Sequence, residues 1–244
     1  MFMSEPFVLF SSSHLLALLL LVITSLLLYA FKGFLQHNPR GKSIVRYALA
    51  GLLAGSEAIL DIWNISKGAC SPRYTLPLEL CSLTLLLSIA MLLTKSRLLY
   101  GILFFAGIGG ALQALITPNL AYAFPHIRFY QFFAAHILII LASLYMTWIE
   151  NYRPTWKSIG LTMIFLNIAA LLVGIADYEL GANYMFLMHK PSTASILDFL
   201  GPYPVYLLAE EGIALFIFTI MYLLFFVLPG KRSNAGKTRG HSAI

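Results

Sequence analysis

Charged residues are scarce in this sequence. Asp, Glu, Lys and Arg make up 11% of its 244 residues, whereas hydrophobic residues make up 59%. Soluble domains carry about a quarter charged residues, and a soluble globule of this size could not bury such an apolar excess. The composition therefore excludes a soluble protein and predicts that lipid surrounds most of the side chains.

Cysteine is also scarce: Cys70 and Cys81 are the only two. Two cysteines are too few for a disulfide framework or a structural zinc site. The sequence has no HxxxH or HExxH spacing, so no metal site is predicted. Gly107, Gly109 and Gly110 lie in an apolar run with no strand before it, which favours close helix packing over nucleotide binding. We therefore expect no metal and no cofactor.

Long apolar runs predict an all-α fold, a polytopic bundle of about seven transmembrane helices. The first run is about twenty residues long and lacks a basic segment before it, so it is expected to be a retained helix and not a signal peptide. One transmembrane domain, 1–229, accounts for the runs, and a basic tail, 230–244, is expected to be disordered. The predicted helices are Ser12–Phe31, Val45–Ile65, Leu76–Leu93, Leu98–Ile116, Tyr130–Ile149, Ile159–Ala176 and Val205–Leu228.

The distribution of basic residues predicts the orientation. With seven helices, twelve of the sixteen Lys and Arg residues fall on the side of the C-terminal tail and four on the other. Basic residues concentrate in short cytoplasmic loops, so the N-terminus is expected outside and the C-terminus in the cytoplasm. The basic residues are spread over these loops and do not form one soluble face, so no nucleic-acid partner is predicted.

Polar residues inside the predicted helices gather in the outer half of the membrane. Ionisable groups there cost about 2.5–3.5 kcal/mol each on insertion scales, so they usually face the bundle interior and have a function. We hypothesise that they line one cavity open to the outer leaflet. The candidates are Glu57, Asp61, Glu79, Cys81, Gln113, Thr117, Asn119, Gln131, His136, Glu210 and Glu211, and Asn183 and Tyr184 lie in the long outer loop.

Cys81 and His136 are the candidate catalytic pair. Both lie roughly 8–10 Å below the outer interface at about 1.5 Å per residue, as a thiol and imidazole must if they are to meet. A neutral histidine can deprotonate a thiol and make it a nucleophile. The alternatives are that Cys81 is a small buried hydrophobe or forms a disulfide with Cys70, and that His136 makes a structural hydrogen bond between helices.

Several segments resemble the bacterial YwaF-like integral membrane proteins: Leu76–Ser82, Gln113–Pro118, His136, Asn183–Leu187 with Lys190-Pro191, and Leu200–Pro202. That family is similar to the eukaryotic transmembrane protein 164 family. The resemblance covers the predicted helices 2 to 7. It implies a glycerophospholipid acyltransferase in which Cys81 and His136 match the family's Cys–His pair.

The resemblance and the polar residues together predict an intramembrane acyltransferase or lipid-remodelling enzyme, with membrane lipids as its partners, in a bacterial cell membrane. Gln113, Thr117 or Asn119 would donate to the oxyanion. One alternative is a transporter or ligand-binding protein that uses Glu57, Asp61, Glu210 or Glu211 in an outward-facing acidic cavity. Another is a structural subunit of a larger membrane complex.

Overall fold

The computed structural model describes residues 6–191 and 196–228. This part of the chain is helical and contains no strand. The helices are α1 (Ser12–Ala30), α2 (Lys32–His37), α3 (Pro39–Ser66), α4 (Leu80–Thr94), α5 (Arg97–Ile116), α6 (Ile127–Trp148), α7 (Trp156–Leu180) and α8 (Val205–Tyr222). A π-helical turn, Leu223–Val227, continues α8.

In the described part of the chain, six helices are long and apolar enough to cross a membrane: α1, α3, α5, α6, α7 and α8 with its π-helical extension. The seventh apolar helix, α4, is shorter, with 15 residues. The predicted all-α polytopic bundle is thereby confirmed. We call the end where α3 ends and α4 begins the outer end, and the opposite end the inner end, after the predicted orientation. The tail 230–244 lies outside the described residues.

The third predicted helix begins later than expected, at Leu80 and not at Leu76. Pro77 therefore precedes the helix, and Glu79 is its N-cap residue. The reason is tertiary: the backbone N–H of Leu76 donates to the Tyr184 hydroxyl at 2.9 Å, which holds this segment against a loop that is distant in sequence. The short helix α2 was not predicted, because six residues are too few to show a helical hydrophobic period.

Helix α6 lies at the centre of the bundle and packs against α1, α3, α4 and α5. Helices α7 and α8 pack on α5. Helices α5 and α6 carry several side chains with no exposed surface, among them Leu103, Phe104, Tyr145 and Met146. This tightly packed pair of helices provides a rigid support for residues at its outer end.

A polar cluster joins the helices at the inner end. The Glu150 carboxylate lies 2.9 Å from Lys42 Nζ and 3.3 Å from Lys95 Nζ. The Tyr145 hydroxyl donates to the Lys42 carbonyl at 2.9 Å. These contacts fix the ends of α3, α4 and α6 at one level.

Candidate active site

Cys81 is the second residue of α4 and is partly buried. Both Cys81 and Cys70 are free thiols, so no disulfide joins them in this structure. No side chain caps the start of α4. The first N–H groups of a helix have no acceptor within the helix, and a helix N-terminus favours negative charge. The backbone around Cys81 can therefore stabilise a thiolate or an oxyanion.

His136 lies in the middle of α6 and is 5% exposed. Its Nδ1 lies 2.7 Å from the Phe132 carbonyl oxygen, and since a carbonyl only accepts, Nδ1 carries the hydrogen. The Phe132 ring lies against the imidazole, with 4.3 Å between ring centroids. The remaining nitrogen, Nε2, is buried and has no hydrogen-bond partner among the described residues. A fixed imidazole with a free Nε2 lone pair is a suitable general base.

The register of α5 and α6 places His136 opposite Gly110. The Ser143 hydroxyl donates to the Leu103 carbonyl at 3.3 Å, and a Cβ at Gly107 would lie 3.4 Å from Ile139 Cγ2. The two helices are antiparallel, so three residues further toward the outer end Gly110 and His136 lie at about the same height.

Gly110 also lies close to the start of α4. A Cβ at Gly110 would lie 3.8 Å from Leu80 Cδ2, and Leu80 directly precedes Cys81. Gly110 therefore marks a level that Cys81 and His136 share.

The contacts at the inner end independently place Cys81 and His136 at a similar height. Cys81 precedes Lys95 by fourteen residues, and His136 precedes Glu150 by fourteen. Fourteen residues of helix span about 21 Å. Because Lys95 and Glu150 form an ion pair, Cys81 and His136 lie at similar heights on two helices that pack against each other. Nevertheless, the thiol makes no hydrogen bond to His136 Nε2 in this structure.

The helix starts differ from the sequence-based expectation. Cys81 lies in the first turn of α4, whereas His136 is the tenth residue of α6. The similar depth of the two residues therefore follows from the short length of α4 and not from equal distances to the two helix starts.

The other candidates on α5 and α6 lie further out. Gln113, Thr117 and Asn119 are exposed, and the Thr117 hydroxyl donates to the Gln113 carbonyl at 3.0 Å. Gln113 is one turn above Gly110, which makes it the nearest of the three to the level of Cys81. Gln131 is buried and accepts a hydrogen bond from the Arg128 guanidinium.

The loop after α7 is fastened over the start of α4. The Tyr184 hydroxyl donates to the Pro72 carbonyl at 2.9 Å, and the Met185 N–H donates to Glu79 at 3.1 Å. Asn183 accepts from the backbone of Met188 and His189 within the loop at 2.9 and 3.1 Å. Glu79, Asn183 and Tyr184 thus hold the loop that covers the start of α4.

The acidic candidates fall into separate groups. Glu57 and Asp61 are one turn apart on α3, which packs mainly on α4 and α6. Glu210 and Glu211 lie on α8, which packs on α5 and α7. Glu210 is partly buried and Glu211 exposed. The fold therefore brings Glu57 and Asp61 together and places Glu210 and Glu211 on another side of the bundle.

Sequence reasoning left three polar residues out of the site. Asp177, 1% exposed, accepts from the Tyr184 N–H at 2.9 Å through Oδ1, while its Oδ2 is unpaired in the described structure. Ser56 on α3 is buried with an unpaired hydroxyl. Arg128 lies in the first turn of α6, over the Trp63 ring. The sequence could have indicated these three residues, because each is a polar residue inside or at the end of an apolar helix.

An apolar groove of about 420 Å³ lies toward the inner end, between α1, α2, α3 and α6. Leu49 and Leu141 form part of its wall, and Thr24 is its polar contributor. The described residues contain no group of three His, Cys, Asp or Glu side chains that could hold a metal ion.

The comparison with protein families identifies the family of this chain. The model of the TMEM164 family matches residues 9–222, a range that includes α1 to α8 and both Cys81 and His136. The comparison with curated proteins and the comparison with solved structures gave no significant match. The resemblance to the YwaF-like proteins stays a prediction, whereas the resemblance to the transmembrane protein 164 family is confirmed. The chain is a multi-pass membrane protein and belongs to the TMEM164 family.

Proposed function

We propose that the protein is an intramembrane acyltransferase that takes an acyl chain from a glycerophospholipid and holds it as a thioester on Cys81. The observation that supports this proposal is the shared level of Cys81 and His136 on two packed helices, together with the buried Nε2 of His136, which has no hydrogen-bond partner among the described residues. A buried nitrogen without a hydrogen-bond partner lowers the stability of the fold. Accepting a proton from the Cys81 thiol would give this nitrogen a function that accounts for the cost. We propose the bacterial plasma membrane as its location.

In the first step, Nε2 of His136 takes the thiol proton as Sγ of Cys81 attacks the carbonyl carbon of the lipid ester. The N–H groups in the first turn of α4 stabilise the oxyanion, and Gln113 is the nearest side-chain donor among those predicted. The ester C–O bond then breaks. The lysophospholipid leaves with the proton from His136, and the acyl group stays on sulfur.

In the second step, a hydroxyl group of an acceptor lipid attacks the thioester carbonyl. His136 takes the hydroxyl proton as the new C–O bond forms, and returns it to Sγ as the C–S bond breaks. Burial disfavours charge on both groups between steps, so the resting pair is a neutral thiol and a neutral imidazole.

The test is covalent labelling of the purified protein by vesicles of a phospholipid with alkyne-tagged acyl chains. We expect a label that neutral hydroxylamine removes, since hydroxylamine cleaves thioesters. The label should be lost in Cys81→Ala and reduced at least about a hundredfold in His136→Gln, the scale of general-base catalysis. Cys70→Ala is the matched control, because Cys70 is exposed in the loop before α4, and it should label normally. Equal labelling of Cys81→Ala and the wild type would refute the proposal.

A further inference from the structure

A positively charged side chain at the outer end of α6 has no ion-pair partner among the described residues. The Arg128 guanidinium donates to Gln131 and lies 5.6 Å from the centre of the Trp63 ring. The ion pairs among the described residues are those of Glu150 with Lys42 and Lys95, so Arg128 has no carboxylate within ion-pair distance. Its position is fixed by a neutral amide and an aromatic ring, which leaves its charge available to a ligand.

Aromatic rings build a wall beside Arg128. Tyr122 and His126 stack with 4.1 Å between ring centroids, and Trp63 meets both of them edge-on. His126 Nδ1 accepts from the backbone N–H of Arg128 at 3.1 Å. The backbone at Arg128 is therefore held beside packed aromatic rings.

The charges around this wall have both signs. Lys67, just after α3, and Arg128 are positive, and burial and these two charges lower the pKa of His126. Glu57 and Asp61 on α3 are negative and interact electrostatically with each other, and Glu57 also does so with Arg128. A ligand that suits this arrangement carries a phosphate next to a cationic group.

The position of Arg128 relative to His136 fits a phospholipid. The two residues are eight apart on α6, which is about 12 Å along the helix axis. His136 lies deeper, and it is buried with an unpaired Nε2. In a glycerophospholipid the ester groups likewise lie deeper than the phosphate, so one molecule can reach both levels.

We propose that Arg128 binds the phosphate of a glycerophospholipid headgroup, with Glu57 and Asp61 facing its ammonium group. Arginine matches phosphate oxygens with two parallel N–H donors. This inference rests on the proposed function, since it places the lipid ester at the level of Cys81 and His136. It assigns Arg128 the role of orienting the substrate.

The test measures binding and not turnover. Cys81→Ala protein in detergent is titrated with a fluorescent short-chain phosphatidylcholine, and binding is followed by anisotropy. Arg128→Gln in this background should weaken binding about tenfold, the scale of a lost charge-assisted hydrogen bond, and Arg128→Lys should retain part of the affinity. Asp61→Asn should weaken phosphatidylcholine binding more than binding of the phosphatidylglycerol analogue. Arg97→Gln, at the inner end of the bundle, is the matched control and should bind normally.

Unchanged affinity in Arg128→Gln or Arg128→Lys would overturn the assignment, and Arg128→Lys keeps the test valid if the Gln variant does not fold. Inorganic phosphate that competes as well as the lipid would also overturn it, because the site would then be a simple anion site. Binding is measured in Cys81→Ala, so it does not depend on the chemical reaction. If the affinity depends on Arg128 but the wild type forms no thioester, the proposed chemistry is refuted and the headgroup site is supported. If the wild type forms a thioester but the affinity does not depend on Arg128, the headgroup site is refuted and the proposed chemistry is supported.

Discussion

The ion-pair cluster at the inner end should control the stability of the bundle, and Glu150→Gln is the substitution that tests this. The Glu150 side chain is 7% exposed, whereas those of Lys42 and Lys95 are 25% and 41% exposed. Breaking a fully buried ion pair costs about 3–5 kcal/mol, and an exposed pair contributes about 0–1 kcal/mol. Because solvent screens both lysines, we expect Glu150→Gln to lower the free energy of unfolding by about 1–3 kcal/mol.

The pH dependence of this effect has a defined sign. Burial alone would raise the pKa of Glu150, but hydrogen bonds and charge attraction from Lys42 and Lys95 outweigh it, and the pKa lies below its ordinary value of 4.5. A carboxyl group whose pKa is lower in the folded protein stabilises it above the unfolded pKa, and this contribution is lost as the pH falls through the folded pKa. The wild type should therefore approach the stability of Glu150→Gln only below pH 4.5.

The assay is unfolding of the detergent-solubilised protein, followed by tryptophan fluorescence, at several pH values from 7 down to 4. Glu179→Gln is the matched control, because Glu179 is an exposed acid at the outer end of α7, and it should unfold like the wild type. Equal free energies of unfolding for Glu150→Gln and the wild type at pH 7 would refute the reasoning. A difference between them that is the same at pH 7 and pH 4 would also refute it.

Two further predictions concern the contacts that set the level of the site. Gly110→Ala should be tolerated, because its Cβ would lie 3.8 Å from Leu80 Cδ2. Gly110→Phe should displace the first turn of α4 and abolish thioester labelling. Equal labelling of the two variants would contradict the register. His14→Ala should lower the free energy of unfolding by about 3–4 kcal/mol. The reason is that His14 is fully buried and hydrogen-bonded to both the Leu115 carbonyl and the Phe10 N–H. A loss below about 1 kcal/mol in an unfolding titration would contradict this prediction.

The distribution of apolar and polar residues predicted the helices well, because lipid dictates both the length and the composition of a spanning segment. It failed where tertiary contacts set a boundary. The run from Leu76 to Leu80 has the composition of a first helical turn, but the Leu76 N–H is used by Tyr184, 108 residues away. Polar residues in spans were also identified by the sequence, but their partners were not. His14 in α1 is an example: its Nε2 donates to the Leu115 carbonyl of α5, and its Nδ1 accepts from the Phe10 N–H just before α1.

The sequence by itself determined that this is an all-α multi-pass membrane protein, and it identified Cys81 and His136 as the pair to examine. Composition and spacing can do this because the solvent acts on every residue separately. Only the tertiary structure decided that these two residues share a level and that Glu57 and Asp61 lie apart from Glu210 and Glu211. It also decided that Arg128 has no ion-pair partner among the described residues. Those facts depend on which helices pack together and in what register. Register is set by contacts such as the hydrogen bond from Ser143 to the Leu103 carbonyl, which no local pattern contains.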